Sequence, residues 1–452
     1  MSGTADVRDR YLAQFRAFSG NGASRAPAWL REMRQTAIDR FTAVGFPSTK
    51  QEEWRFTSVA PIADAPFALS AGPRDDLAAT VATALRGFPT DGARLVFVDG
   101  ALSLHLSDTS SLPSGVRIEG LAAALANDPG LPRAHLARHA SSETSAFTAL
   151  NTAFLSDGAF ISLPAGVALE APIELFFVTS GGAVAAGDPG TLSHPRTLIV
   201  LERGARATVV ERYVGLRDGR YWTNAVTEIV VGEGAHLEHY RVQQESRAAY
   251  QVATTHTVQA RDSVLRLHPL TLGAGLSRHD VYAALAGRGA DLVLNGFYLL
   301  RGRQHADHHT VIDHVEPHCT SHEYFNGILG EQSHGVFNGR IIVRPGAQRT
   351  DSKQTNNNLL LSGEARADSQ PQLEIYADDV KCTHGSTAGP LDDMALYYLR
   401  SRGLSPETAA GMMTYGFAAE IVGRMQHAGL RTEFDAMVRA RLAERTAGGR
   451  RA

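Results

Sequence analysis

The stretch from Thr227 to Gln243, "TEIVVGEGAHLEHYRVQ", is a Val/Ile run, a tight Gly-x-Gly corner and a second run of strand-forming residues. Two strands around a turn are the simplest reading of that pattern. The same plan recurs in "RTLIVLERGARATVVERYV" (196–214), "HTVQARDSVLRLHPL" (256–270), "AALAGRGADLVLNGFYLL" (283–300) and "GRIIVRPGAQRTDS" (339–352). The corners fall at Gly204, Gly234, Asp262, Gly289 and Gly346, in steps of 30, 28, 27 and 57 residues, the last about twice the others. A strand repeat with no helix in each unit predicts a solenoid, whose coils stack and whose core runs along one axis. A β-propeller needs four strands in about 40 to 45 residues per blade, and the spacing here is too short.

Helical periodicity appears on both sides. In "PAWLREMRQTAIDRF" (27–41) Leu30, Met33, Ala37 and Phe41 recur at three- and four-residue steps, Pro27 suits a first turn, and Gly45 and Pro47 end the pattern. Residues 60–160 give a mixed signal, with a strand-like "ARLVFVDG" and a helical "LAAALAND". Beyond residue 390 come "LDDMALYYLRSRG" and "SPETAAGMMTYGFAAEIVGRM", where Ser405 suits an N-cap, Pro406 the first helical position and Glu407 the positive end of the helix. A last helix places Phe434, Met437, Val438 and Leu442 on one face. The expected chain is mainly β with flanking α: a mainly helical or mixed domain over 1–160, a β-helix core over 161–389 and a helical domain over 390–452.

Composition narrows the function. The chain has 452 residues, and its 44 Lys+Arg against 47 Asp+Glu create no basic field for nucleic acid. No run approaches the roughly 18 apolar residues of a membrane span, and charges occupy the N-terminal stretch where a secretory leader needs an apolar run. A cytoplasmic protein is expected. Cys319 and Cys382 are the only cysteines, so a disulfide framework is not expected. An iron–sulfur cluster normally takes four cysteine ligands, so this chain alone cannot supply a four-thiolate site.

No phosphate-binding loop, G-x-S-x-G elbow or H-E-x-x-H helix is present; "GEGAHL" and "GRGADL" read as turn formers. The segment 305–334 gathers His305, His308, His309, His314, His318, His322 and His334 with Cys319. Their spacings match no compact metal motif; hydrogen-bonded solenoid histidines and a ligand or proton-handling role both remain open. In "QLEIYADDVKCTHGST" (372–387) the strand alternation puts Cys382 and His384 on one face and Lys381 and Thr383 on the other. That face suits either core or an interface. A polysaccharide-active β-helix enzyme would need paired carboxylates on one face, whereas Asp378 and Asp379 are adjacent and face opposite ways. A stand-alone metal-binding protein using the histidine segment is a further alternative.

The segments "QTNNNLLLS" (354–362), "PQLEIYADDVKCTHGSTAGPLDD" (371–393), "YYLRSRGLS" (397–405) and "FPSTKQEEWRFTS" (46–58) resemble the SufB/SufD family of the SUF iron–sulfur cluster assembly system. The resemblance implies a right-handed parallel β-helix between helical domains. SufB-like chains carry a scaffold cysteine where this chain has Asn356, Asn357 and Asn358, and a glutamate where it has Gly385; both departures favour the SufD side. The resemblance further implies a non-catalytic scaffold that pairs with SufB through the β-helix and binds the ATPase SufC through its C-terminal helices. By the same resemblance, Cys382 and His384 match positions at the SufB interface where a nascent, shared iron–sulfur cluster forms. Flavin participation in such a complex is not readable from these residues. "MMTYGFAAEI" (412–421) carries more apolar side chains than one core-facing stripe requires, so Met412, Met413, Tyr415 and Phe417 are the expected SufC-docking residues.

Overall fold

The computed structural model describes residues 4–448, apart from 22, 24–25, 71, 73–74, 89–91, 111, 144 and 182–187. Alternate strands along the chain enter two different sheets, so each coil adds one strand to each sheet and every consecutive pair within the solenoid is parallel. One sheet ends on the Arg366–Ile375 strand and the other on Lys381–Gly389. The strand-rich solenoid with helices at both ends is the architecture that the repeat predicted.

The corners explain the period and correct it in one place. Gly204, Gly234, Asp262, Gly289, His318 and Arg349 all take a left-handed backbone, with φ between 53° and 76°. Each N–H donates to a carbonyl of the next coil's corner: Gly204 to Glu233, Gly234 to Arg261, Asp262 to Arg288, Gly289 to Pro317, His318 to Gln348 and Arg349 to Asp379. The repeat pattern missed the corner at His318 and placed its successor at Gly346 instead of Arg349. Neither histidine nor arginine is a turn signal; stacking on the glycine corners below imposes the conformation, against an intrinsic cost of about 1–2 kcal/mol per residue.

Between the sheets, Leu237, Leu265 and Leu292 stack in register, as do Leu267 and Leu294 beneath His239. All six are nearly inaccessible and belong, apart from His239, to one core that follows the solenoid axis. Continuous apolar ladders of this kind supply about 25 cal/mol per Å² of buried apolar surface.

The N-terminal helices Thr4–Gly20 and Ala28–Val44 close one flank through an aromatic cluster of Tyr11, Phe15, Phe41, Trp54, Phe147 and Trp222. The second helix buries Leu30, Ala37 and Phe41 as its periodicity predicted, and Gly45 ends it with φ 68°. The "QEEWRFTS" segment is pinned to the sheet: the Arg278 guanidinium lies 3.7 Å from the Trp54 ring centroid, and the Thr57 hydroxyl donates to Asp307 over 2.5 Å. In the mixed region, Arg94–Val98 joins the second sheet beside Ile173–Thr179. At the other end, Ser405 caps helix Pro406–Val422 by accepting from the Thr408 N–H at 3.2 Å, and Phe434 and Val438 of the last helix are buried against the solenoid.

Candidate functional site

The interior changes character in the last coils. The ladder Leu237–Leu265–Leu292 continues as Ser321, Ser352 and Cys382; the ladder His239–Leu267–Leu294 continues as Glu323, Gln354 and His384. Ser321, Glu323, Ser352, Gln354 and Asn356 are all at most 1% exposed. Polar groups at that burial need internal partners. The Ser321 and Ser352 hydroxyls are 2.7 Å apart, with His314 Nε2 2.8 Å from Ser321. The Gln354 amide donates to Glu323 over 2.7 Å, and Asn358 donates to Asn356 over 2.8 Å.

Cys382 and His384 occupy the next positions on these two ladders, and among the described residues no further coil covers them. Cys382 is half-buried against the end of the core, and His384 is exposed. The shared face expected from the strand alternation is therefore the inward face of an open-ended solenoid, core-like by register and interfacial by exposure. Burial pushes the Cys382 thiol up, the Asp351 charge adds to this, and a hydrogen bond from the Ser352 backbone opposes both. A thiol so placed becomes a good nucleophile or ligand only when a cation or metal arrives to stabilise the thiolate. Cys319, two coils back, is buried in the core with its Sγ 3.3 Å from the Gly287 carbonyl.

The histidines of 305–334 do not converge. His308 and His314 are buried, and loss of solvation lowers them to about 3 and about 4, so both are neutral at pH 7. His309 and His334 pair with Asp307 and Asp368 at 3.0 and 2.7 Å, while His318 forms a corner and His322 lies 4.0 Å from Asp351. His305 lies 2.8 Å from the Thr57 hydroxyl. Among the described residues, no group of three or more His, Cys, Asp or Glu side chains is placed to hold a metal ion.

The four residues singled out on the helix Pro406–Val422 divide. Met412 is 52% exposed and Met413 half-buried, but the Tyr415 hydroxyl donates to Asp435 beneath the Arg439 guanidinium, and Phe417 packs on the solenoid. The unpartnered apolar surface lies one helix earlier. Asp393–Ser401 buries none of its residues, and Met394, Tyr397 and Tyr398 are 74%, 69% and 57% exposed. Their i, i+3, i+4 spacing in "DMALYYLRS" carried that signal. Ile375 and Tyr376, at the end of the last strand of the first sheet, are also exposed, at 41% and 59%.

The β-solenoid thus ends, among the described residues, on an unpaired strand edge with a thiol and an imidazole on its uncovered inner face. Two family models match the chain: "SUF system FeS cluster assembly, SufBD core domain" over residues 183–417, and "SufBD protein N-terminal region" over residues 5–175. The chain belongs to the SufBD family of the SUF iron–sulfur cluster assembly system, on its SufD side. It is 33% identical over 441 residues to the iron–sulfur cluster assembly protein SufD of Escherichia coli, covering 96% of each chain. It is 33% identical over 409 residues to a SufBD family protein of Synechocystis, covering 88% of each. To SufD of Bacillus subtilis it is 26% identical over 421 residues, covering 91% of this chain and 94% of that one. No helix among the described residues is long and apolar enough to cross a membrane.

Proposed function

We propose that this chain is a non-catalytic scaffold subunit that builds iron–sulfur clusters for transfer to apoproteins, in the cytoplasm, within a complex containing SufB and the ATPase SufC. The observation that carries the reading is the open end, where Cys382 and His384 continue buried ladders that no further coil among the described residues covers. A SufB solenoid end laid against it would bury the bare Lys381–Gly389 edge and enclose that face. The cluster is cargo: it would form at the shared interface, transiently, with His384 and Cys382 from this side and further thiolates from SufB.

The chemistry asked of each residue is modest. Enclosure by the partner removes water, which raises the value of every charge-assisted contact. The His384 imidazole would offer a ring-nitrogen lone pair to iron. Cys382 gives up its proton as iron or a cationic partner group arrives, and supplies a thiolate ligand. The inventory of this chain leaves the remaining ligands to the partner. SufC would dock on the C-terminal helices, with Met412 and Met413 joined by Met394, Tyr397 and Tyr398; Tyr415 and Phe417 serve the chain's own packing. No residue here is assigned to a flavin.

The test is anaerobic reconstitution of the co-expressed complex, with visible absorption and iron and sulfide content per complex. His384→Ala lowers cluster yield while sizing shows the complex intact; Cys382→Ser acts in the same direction with a smaller effect. Equal yields in wild type, both single variants and the double variant would overturn the assignment of this pair.

A further inference from the structure

A cavity of about 780 Å³ opens between the Thr4–Gly20, Ala28–Val44 and Leu121–Asn127 helices, far along the chain from Cys382 and His384. Its wall is mostly apolar, with Ala17, Phe18, Leu30 and Leu125 among its residues, and none of the described residues lining it is acidic. Small-molecule sites are typically clefts of about 300–1,000 Å³ with apolar walls and a few placed polar groups. Five polar side chains join the wall, Gln14, Asn21, Arg34, Ser70 and Ser156, and of these Arg34 and Gln14 carry buried polar atoms without partners.

Arg34 is only 6% exposed. Its terminal nitrogens donate to the carbonyls of Leu155 at 2.5 Å and Ala23 at 3.4 Å, and its Nε is buried without a partner. Both acceptors are neutral, and no carboxylate among the described residues pairs with this guanidinium. The Phe18 ring lies 5.3 Å away and offers only its π-face. Gln14 donates to the Phe67 carbonyl at 2.7 Å, which leaves its own carbonyl oxygen buried and unpartnered. Three other buried arginines are matched with acids: Arg196 with Glu228, Arg212 with Glu174 and Arg278 with Asp307, each at 2.7 or 2.8 Å. Arg241 is buried without an ion pair, donating to the Gln251 amide oxygen, with its guanidinium over the Tyr213 ring in the solenoid interior. A buried charge is costly unless paired; Arg34 has neither an acid nor a side-chain acceptor among the described residues, and it lies at the wall of a cavity.

We infer that this cavity binds a small amphiphile with one carboxylate and an apolar body, the carboxylate set against Arg34 and the body along Ala17, Phe18, Leu30 and Leu125. The site is independent of cluster assembly, and its test needs neither partner nor iron. Purified full-length chain is titrated calorimetrically with dodecanoate, 1-dodecanol and dodecylammonium, each below its micelle concentration. Dodecanoate binds one per chain, about ten-fold or more tighter than dodecanol, as expected of one charge-assisted contact in a partly dry site, and dodecylammonium binds weakest. Arg34→Gln removes the charge and abolishes the preference for dodecanoate over dodecanol. Ala17→Trp, at an exposed helix position on the cavity wall, fills the space and weakens both ligands without disturbing the fold; it decides the matter if Arg34→Gln does not fold. Absence of binding, equal binding of the three probes by wild type, or dodecanoate affinity unaltered by Ala17→Trp would each overturn the inference.

Discussion

At the scale of single residues, the corners and the open end make opposite demands. Gly289 sits at a corner with φ 76°, and a Cβ there would lie 2.4 Å from an Asp262 carboxylate oxygen. Gly289→Ala therefore carries a left-handed backbone penalty, while the exposed Asp262 carboxylate can swing aside, and denaturant unfolding should show a loss of about 1–2 kcal/mol. His384 makes no comparable contribution to the fold. It is exposed and its place on the ladder ends the column, so His384→Ala should leave the unfolding midpoint within about 0.5 kcal/mol of wild type, as surface changes usually do. A large destabilisation would return it to a structural role. The exposure of His384 could not be read from "KCTHG", because strand alternation tells which residues share a face and not whether another coil covers it.

At the scale of elements, two attachments have different consequences. Arg196 and Glu228 form a buried pair at 2.7 Å, both at most 1% exposed, and Glu228 also accepts from the N–H groups of Ala137, His139 and Ala140. Burial alone pushes the Glu228 carboxyl up, but the Arg196 charge and those N–H donors outweigh it and hold the group below the usual carboxylate range. A depressed folded pKa means that its contribution is complete above the unfolded carboxylate pKa and is lost as pH falls through the lower folded value. Glu228→Ala leaves Arg196 unpaired and should cost about 3–5 kcal/mol in denaturant unfolding at pH 7. The helix Asp393–Ser401 is the contrasting case. Because it buries nothing, the double variant Tyr397→Ala/Tyr398→Ala should keep the melting temperature within about 2 °C while weakening SufC capture about ten-fold or more, on the scale of interface aromatic anchors. Unchanged capture on an immobilised ATPase would remove this helix from the docking surface. The C-terminal helices were legible from their periodicity, but their division into packed and free faces was not: in "MMTYGFAAEI" Phe417, Ala418 and Ile421 pack on the solenoid while Met412 is exposed, and in "DMALYYLRS" Met394, Tyr397 and Tyr398 are exposed.

For the whole molecule, the polar interior sets a pH dependence. Glu245 and Glu323 lie in the core with no acidic or basic side chain among the described residues in ion-pair contact, and burial, only partly opposed by hydrogen bonds, pushes each carboxyl up to about 7. With a raised folded pKa, the unfolded chain loses its proton first. Stability contributed by these groups therefore falls as pH rises from the unfolded carboxylate value toward about 7 and is flat above that. Glu323→Gln should gain on the order of 1–3 kcal/mol over wild type at pH 8 and little at pH 5, read from urea unfolding at the two pH values. A pH-independent difference would show that Glu323 is ionised within the fold. Hydrogen exchange reports on the open end directly: amides of Lys381–Gly389 should exchange faster than those of Asp351–Leu360 in the lone chain and become protected in complex with SufB.

The period, the solenoid and the shared face of Cys382 and His384 were all legible in the amino-acid sequence, because strand alternation and corner spacing are local properties of the chain. So was the family, through segments from 46 to 58 and from 354 to 405. Three features came from the folded packing alone: which apolar positions are satisfied internally, where the left-handed corners fall when glycine is absent, and the uncovered end on which the face of Cys382 lies. Each depends on what stacks on the next coil, and stacking joins residues about thirty apart, beyond the reach of any pattern in a single strand.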